Sequence, residues 1–277
     1  MIAHPPAAAP GISYVYAIGS AGTPLEAAAP GLTGLEEGPL RTVSGDGLLA
    51  LVSSVSHDAF SSEGMKAQME DIERLETLAR THHSVVEAAY GSATVLPMRL
   101  ATVYLDDARV RDMLRERRRD FGELLSWLEG HVELGVKVYA DPREVTQPER
   151  QGTEAEATPV SPGRAYLRQR RTQRRSHQDA YRAAGAVAAQ VPDRVAALAR
   201  ARVAHRPQQG ELAASAGENI ANEAYLVPAA RVADFHAAVG ALADDVPGVR
   251  IELTGPWAPY SFATPQAEPA EPGGEAR

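Results

Sequence analysis

The sequence predicts an α+β protein of two domains, the C-terminal one ferredoxin-like (βαββαβ) with an extended tail. Three observations carry this. Short β-branched runs alternate with long amphipathic stretches, Gly- and Pro-bearing segments separate them, and from about residue 130 the elements read β-α-β-β-α-β. The expected layout is a disordered tail over 1–12 and an N-terminal α+β domain over 13–129. A ferredoxin-like domain over 130–263 and a disordered tail over 264–277 complete it. Both tails are rich in Ala, Pro, Gly and Glu, which cannot build a core.

Taken in order, Tyr14-Val-Tyr-Ala-Ile18 is β-branched and aromatic and reads as a strand. Residues 20–38 hold several Gly and Pro and read as a loop. Leu40–Val43 and Leu48–Val55 flank Ser44-Gly-Asp-Gly47, whose residues tolerate positive φ, so the pair reads as a hairpin. Met65, Met69, Ile72, Leu75, Ala79, His82, Val86 and Tyr90 recur at helical spacing and predict one long amphipathic helix. Thr94–Tyr104 contains a strand that Pro97 confines to a sheet edge or ends. Asp106 or Asp107 caps the next helix, which faces Val110, Met113, Leu114, Phe121, Leu124, Leu125 and Leu128 inward.

Gly130 stops that helix, and His131–Tyr139 alternates as a half-buried strand. Residues 141–160 read as a polar loop, and about 163–204 as a very long helix kinked by Pro192. A short strand is expected at Glu211–Ala214 and a longer one at Ile220–Val227. A helix over Ala229–Ala243 then places Val232, Phe235, His236, Val239 and Leu242 inward, before a last strand at Val249–Leu253.

Composition narrows the function. The net charge is 28 − 36 = −8, a poor field for sequence-independent nucleic-acid binding. The chain holds no cysteine, which excludes disulfides, thiolate catalysis and Cys-ligated zinc. The N-terminus lacks the basic stretch of a signal peptide, and no apolar run approaches the ~20 residues that span a bilayer. A cytoplasmic protein without membrane contact is the expectation.

The candidate chemistry is thin. Asp106-Asp107 is a carboxylate pair, but at a helix start it reads first as a cap with a favourable dipole charge. His82-His83 are ~100° apart on a helix and do not easily share one metal ion. His57-Asp58 has no nucleophile at a readable spacing, and the glycines of 210–217 lack the Lys-Ser/Thr of a phosphate loop. No catalytic residue, cofactor site or metal site is assigned. Arg164, Arg168, Arg171 and Arg175 fall at i, i+4, i+7 and i+11 and form a stripe, with Arg170 and Arg174 beside it. The stripe reads as a solvated face, or as a binder of an acidic surface, or of nucleic acid. Trp257, between Pro256 and Pro259, reads as a lid on the C-terminal core or as an exposed partner anchor.

Several segments resemble the gas vesicle GvpL/GvpF family. Leu253-Thr-Gly-Pro-Trp-Ala-Pro-Tyr-Ser-Phe262 is similar to its closing motif, with Gly217–Ile220 and Asn222–Pro228 before it. Gly163–Arg168 with the following Arg-rich helix, Thr94–Tyr104, Tyr14–Ile18 and the hairpin of 38–55 also fit, in the same order. The family usually carries an aromatic-Gly pair where this chain has Leu100-Ala101. The resemblance implies a non-enzymatic accessory role in gas vesicle assembly. It also implies contact with the hydrophobic shell protein GvpA and other vesicle proteins, in the cytoplasm and on vesicles. Two alternatives stay open at this point: a ferredoxin-like enzyme or small-ligand binder, and a nucleic-acid-binding regulator acting through the Arg-rich helix.

Overall fold

The computed structural model describes residues 11–142, 162–207 and 217–264. Within them the chain forms two compact units. One runs to Gly130 and takes the chain back from Trp257 onward; the other spans His131–Pro256. The expectations for the N-terminal tail, for most of the 141–160 loop, for a strand at 211–214 and for the tail beyond 264 lie outside the described residues.

The first unit is organised on strand β1 (Ile12–Ser20). After β1 come a short helix α1 (Leu25–Ala28), β2 (Arg41–Gly45) and β3 (Leu48–Val55). Helices α2 (His57–Phe60), α3 (Ser62–Glu70) and α4 (Ile72–Ser92) follow. Strands β4 (Val95–Pro97) and β5 (Val103–Tyr104) then precede α5 (Asp107–Glu116) and α6 (Arg118–Leu128). The sheet order is β2-β3-β1-β4, and β5 also pairs with β1. Every residue of β1 except Ser20 is buried, so the strand is covered on both faces, as a near-continuous apolar run requires. Tyr14, Tyr16, Leu49 and Leu51 share a core with Leu78, Val85, Val86 and Ala89 of α4. The alternate residues Val15, Ile18 and Val52 are equally buried, and α5 and α6 pack on β1–β4. The β2–β3 hairpin turns through Asp46 (φ 51°) and Gly47 (φ 82°), the paired positive φ that its Gly-Asp-Gly chemistry predicts.

The second unit contains β6 (His131–Ala140), α7 (Pro162–Val195), β7 (Ala201–His205), β8 (Glu218–Pro228), α8 (Val232–Gly240) and β9 (Val249–Trp257). Its sheet order β7-β8-β6-β9, antiparallel where β8 pairs with β6 and β7, is the ferredoxin-like arrangement of a βαββαβ chain. Val132, Leu134, Val136 and Val138 alternate inward along β6. Ala180, Ala184, Val187, Val191 and Val195 form the buried stripe of α7, and Phe235 and Val239 that of α8.

Four sequence expectations are corrected. The long helix of 65–90 breaks at Asp71 (φ −103°, ψ 104°), whose carboxylate caps α4 by accepting from the backbone N–H of Glu73 and Arg74. The long helix of 163–204 ends at Val195, shortly after Pro192. Ala201–His205 instead pairs with Asn222–Leu226, so strand pairing overrides the helix propensity of Ala and Arg. The single helix expected from Asp106 to Leu128 is two helices, α5 and α6, which meet at Arg117 (φ −104°, ψ 16°), whereas the strand expected within 94–104 is present as β4, ending at Pro97 on the sheet edge, with β5 after it.

The sequence places the closing segment in a 130–263 domain, with Trp257 as a lid on its core or as an exposed partner anchor. The segment packs on the first unit. Ala258 belongs to the first core with Tyr260 against it, the Ala258 N–H donates to Glu87 Oε1 (3.0 Å), and Phe262 is buried with its ring 6.0 Å from Trp127. The reason is burial: β9 runs on to Trp257, and the apolar residues after it have their partners on α4 and α6. Phe262→Ala is therefore expected to lower the stability of the first unit by roughly 3 kcal/mol. Hydrogen exchange should show β1 and β3 deprotected while β6 and β8 keep their protection.

Candidate functional site

Burying Tyr14 and Tyr16 obliges their hydroxyls to find partners. Tyr16 Oη lies 2.9 Å from Ser53 Oγ and accepts the Leu35 N–H at 2.7 Å. Tyr14 Oη accepts the Ala101 N–H at 3.0 Å and lies 2.9 Å from His82 Nδ1. His82 Nε2 lies 3.1 Å from the Met98 carbonyl, which only accepts. Nε2 therefore carries the proton, Nδ1 is the acceptor, and Tyr14 O–H donates to it. A relay thus runs from Ala101 through Tyr14 and His82 to Met98, and it clamps both ends of the 98–101 turn to the core.

That turn is strained. Ala101 has φ 64°, a left-handed conformation that costs a residue with a Cβ roughly 1–2 kcal/mol. The relay offsets this cost. The turn interrupts the strand between β4 and β5, while Met98 N–H donates to the Tyr16 carbonyl and Val15 N–H to the Thr102 carbonyl, both at 2.9 Å. Leu100 and Leu105 are left exposed beside it.

A second surface lies at the α3–α4 elbow. Ser61 caps α3 by accepting the Gly64 N–H, and a Cβ at Gly64 would press into the carbonyls of Asp58 and Ala59. Helix α3 is thereby held close to α2, yet none of its residues is buried. A groove of about 710 Å³ borders it, with Leu35, Phe60, Ala67 and Leu78 among its walls. Met69 and Ile72 stand at the elbow, 65% and 79% exposed. Sequence reasoning missed this surface because it joined α3 and α4 into one helix. The cap signal at Asp71 marks the break.

The predicted partner residues belong to two compact units. Arg171 and Arg175 are exposed on α7, away from its buried Ala/Val stripe; the side chains of Arg164 and Arg168 lie outside the described residues. Trp257 belongs to the other compact unit, 41% exposed, its ring 5.5 Å from that of His83. Asp106 is the cap of α5, accepting the Arg109 N–H. Asp107 instead receives Arg41 Nε and Nη2 at 3.1 and 2.7 Å and Ser13 Oγ at 2.6 Å. These bonds, those of Arg41 foremost, hold its carboxyl below the usual range, which marks an ion pair and not an acid–base catalyst. Among the described residues no cluster of three or more His, Asp or Glu is placed to hold a metal ion.

Burial holds the His82 imidazole down at about 4, so the folded protein keeps it neutral. The unfolded chain takes up a proton below about 6.5, so it binds more protons than the folded one between these values. The stability contributed by neutral His82 is complete above about pH 6.5 and is lost as pH falls toward 4, a loss of roughly 3 kcal/mol. Urea titrations across that window should show this decline in the wild type and a much flatter profile in His82→Gln.

The profile of the family described as gas vesicle synthesis protein GvpL/GvpF matches residues 12–264. The chain is 39% identical to gas vesicle protein L of a Streptomyces species, over 91% of this chain and 92% of that one. It is 28% identical to gas vesicle protein F of the same species, over 90% of this chain and 98% of that one. The crystal structure of GvpF from an Anabaena species superposes with a TM-score of 0.62 at 21% identity, covering 92% of this chain and 96% of that chain. The match spans both compact units and the closing segment, and on it the chain belongs to the GvpL/GvpF family of gas vesicle synthesis proteins.

Proposed function

We propose that this chain is a non-enzymatic accessory factor that binds the hydrophobic shell protein GvpA, together with other vesicle proteins, in the cytoplasm. In this reading it shields apolar, strand-forming surface of the shell protein until that surface is incorporated, because exposed strands of this kind aggregate. The observation that carries the reading is the α3–α4 elbow: a helix with no fully buried residue bordering a groove of about 710 Å³, with Met69 and Ile72 exposed at its end. Methionine suits such a surface because its flexible thioether adapts to varied apolar partners. The higher identity to the L-type than to the F-type relative of one species favours an L-type role.

Each of these side chains contributes roughly 1.5–3 kcal/mol when fully buried. Replacing both by Asp is therefore expected to weaken GvpA binding by more than about tenfold. The melting temperature should hardly change, because both positions are exposed. The measurement is titration of GvpA against wild type and Met69→Asp/Ile72→Asp, alone and within the accessory complex. No association in either setting sinks the proposal. Equal affinity of wild type and variant removes the elbow from it.

A further inference from the structure

The 98–105 turn has a second face, of different chemistry from the elbow. A groove of about 260 Å³ opens beside it, with Leu96 and Phe121 as apolar walls and Arg99, Thr102 and Arg117 as polar ones. Arg99 is exposed and makes no ion pair among the described residues. The guanidinium of Arg117 lies over the Phe121 ring at 4.4 Å, and its one carboxylate neighbour, Asp120, is 3.9 Å from Nε. Its fork is thus steered by the ring and left largely unneutralised. Leu100 and Leu105, 39% and 67% exposed, stand along the same segment.

Two cations and an apolar wall therefore line one groove beside a turn that the Ala101–Tyr14–His82–Met98 relay holds in place. Strands β4 and β5 span three and two residues, too short to offer a continuous edge for an added strand, so side chains must supply the recognition. We infer that this groove docks an acidic, leucine-bearing segment of a partner protein, with a carboxylate on Arg99 and Arg117 and an apolar side chain against Leu96 and Phe121. Charge complementarity selects this occupant. Guanidinium groups recognise carboxylates through charge-assisted hydrogen bonds, and Arg99 and Arg117 both line this groove.

The inference does not rest on GvpA binding, and its test does not use GvpA. The probe is a short fluorescein-labelled peptide of repeated Leu-Glu-Glu-Leu, read by anisotropy against the full chain; its control carries Gln for every Glu. The acidic peptide is expected to bind saturably and to weaken as salt rises. It should lose about tenfold in affinity with Arg99→Gln, which leaves the melting temperature unchanged, and the Gln control should bind no better than that variant. Absence of saturable binding overturns the inference, as does equal affinity for the two peptides or for the two proteins. The chain's own Glu268 and Glu271 follow the groove residue Thr264 in sequence. Binding that appears only after removal of residues beyond 264 would assign the groove to that segment and overturn a partner as its occupant.

Discussion

The first unit depends on a strand that is buried on both faces and yet carries two tyrosines. Burying a tyrosine ring is favourable; burying its hydroxyl without a partner is not. In β1 the hydroxyls of Tyr14 and Tyr16 are satisfied by groups from outside the strand: His82 on α4, the Ala101 and Leu35 amides, and Ser53 on the neighbouring β3. These bonds decide where α4 sits and where the chain leaves β4. They also fix His82 as a neutral acceptor, because its other nitrogen is spent on the Met98 carbonyl. The strain at Ala101 is tolerable only while that network holds.

The same economy explains what stays exposed. Helix α4 uses its inward face on Tyr14, Tyr16 and Leu49, and the closing segment from Ala258 to Phe262 covers a further part of the unit. Helix α3 comes before the break at Asp71 and packs on α2 and α4 without fully burying any residue, so part of its surface is left beside a groove. The 98–105 turn is pinned at its base and open at its tip, which leaves Arg99, Leu100 and Leu105 at the surface. Both surfaces lie on a framework that buried hydrogen bonds hold in place.

Much of this fold is legible in the sequence. The alternation of β6, the Gly-Asp-Gly turn and the amphipathic faces of α5 and α6 follow from local pattern. Where expectation fails, long-range packing decides. Ala201–His205 has helical composition and becomes a strand because β8 offers it an edge; Trp257–Phe262 leaves the strand it follows because its burial partners stand on α4 and α6. The break at Asp71 could have been read from its capping chemistry but was masked by an unbroken apolar period. The candidate sites were harder to read. An Arg stripe is visible in a sequence, whereas the exposure of Met69 and Ile72 and the groove that Arg99 and Arg117 both line exist only once the elements are placed.

The central claim is that the first unit presents the surface that meets the shell protein. Hydrogen–deuterium exchange of the full chain, free and mixed with GvpA, tests it most directly. The account predicts slowed exchange across residues 57–80, which include α2, α3 and the elbow, with α7 unchanged. Protection confined to the Arg-bearing helix of 162–195, with none over 57–80, would contradict it.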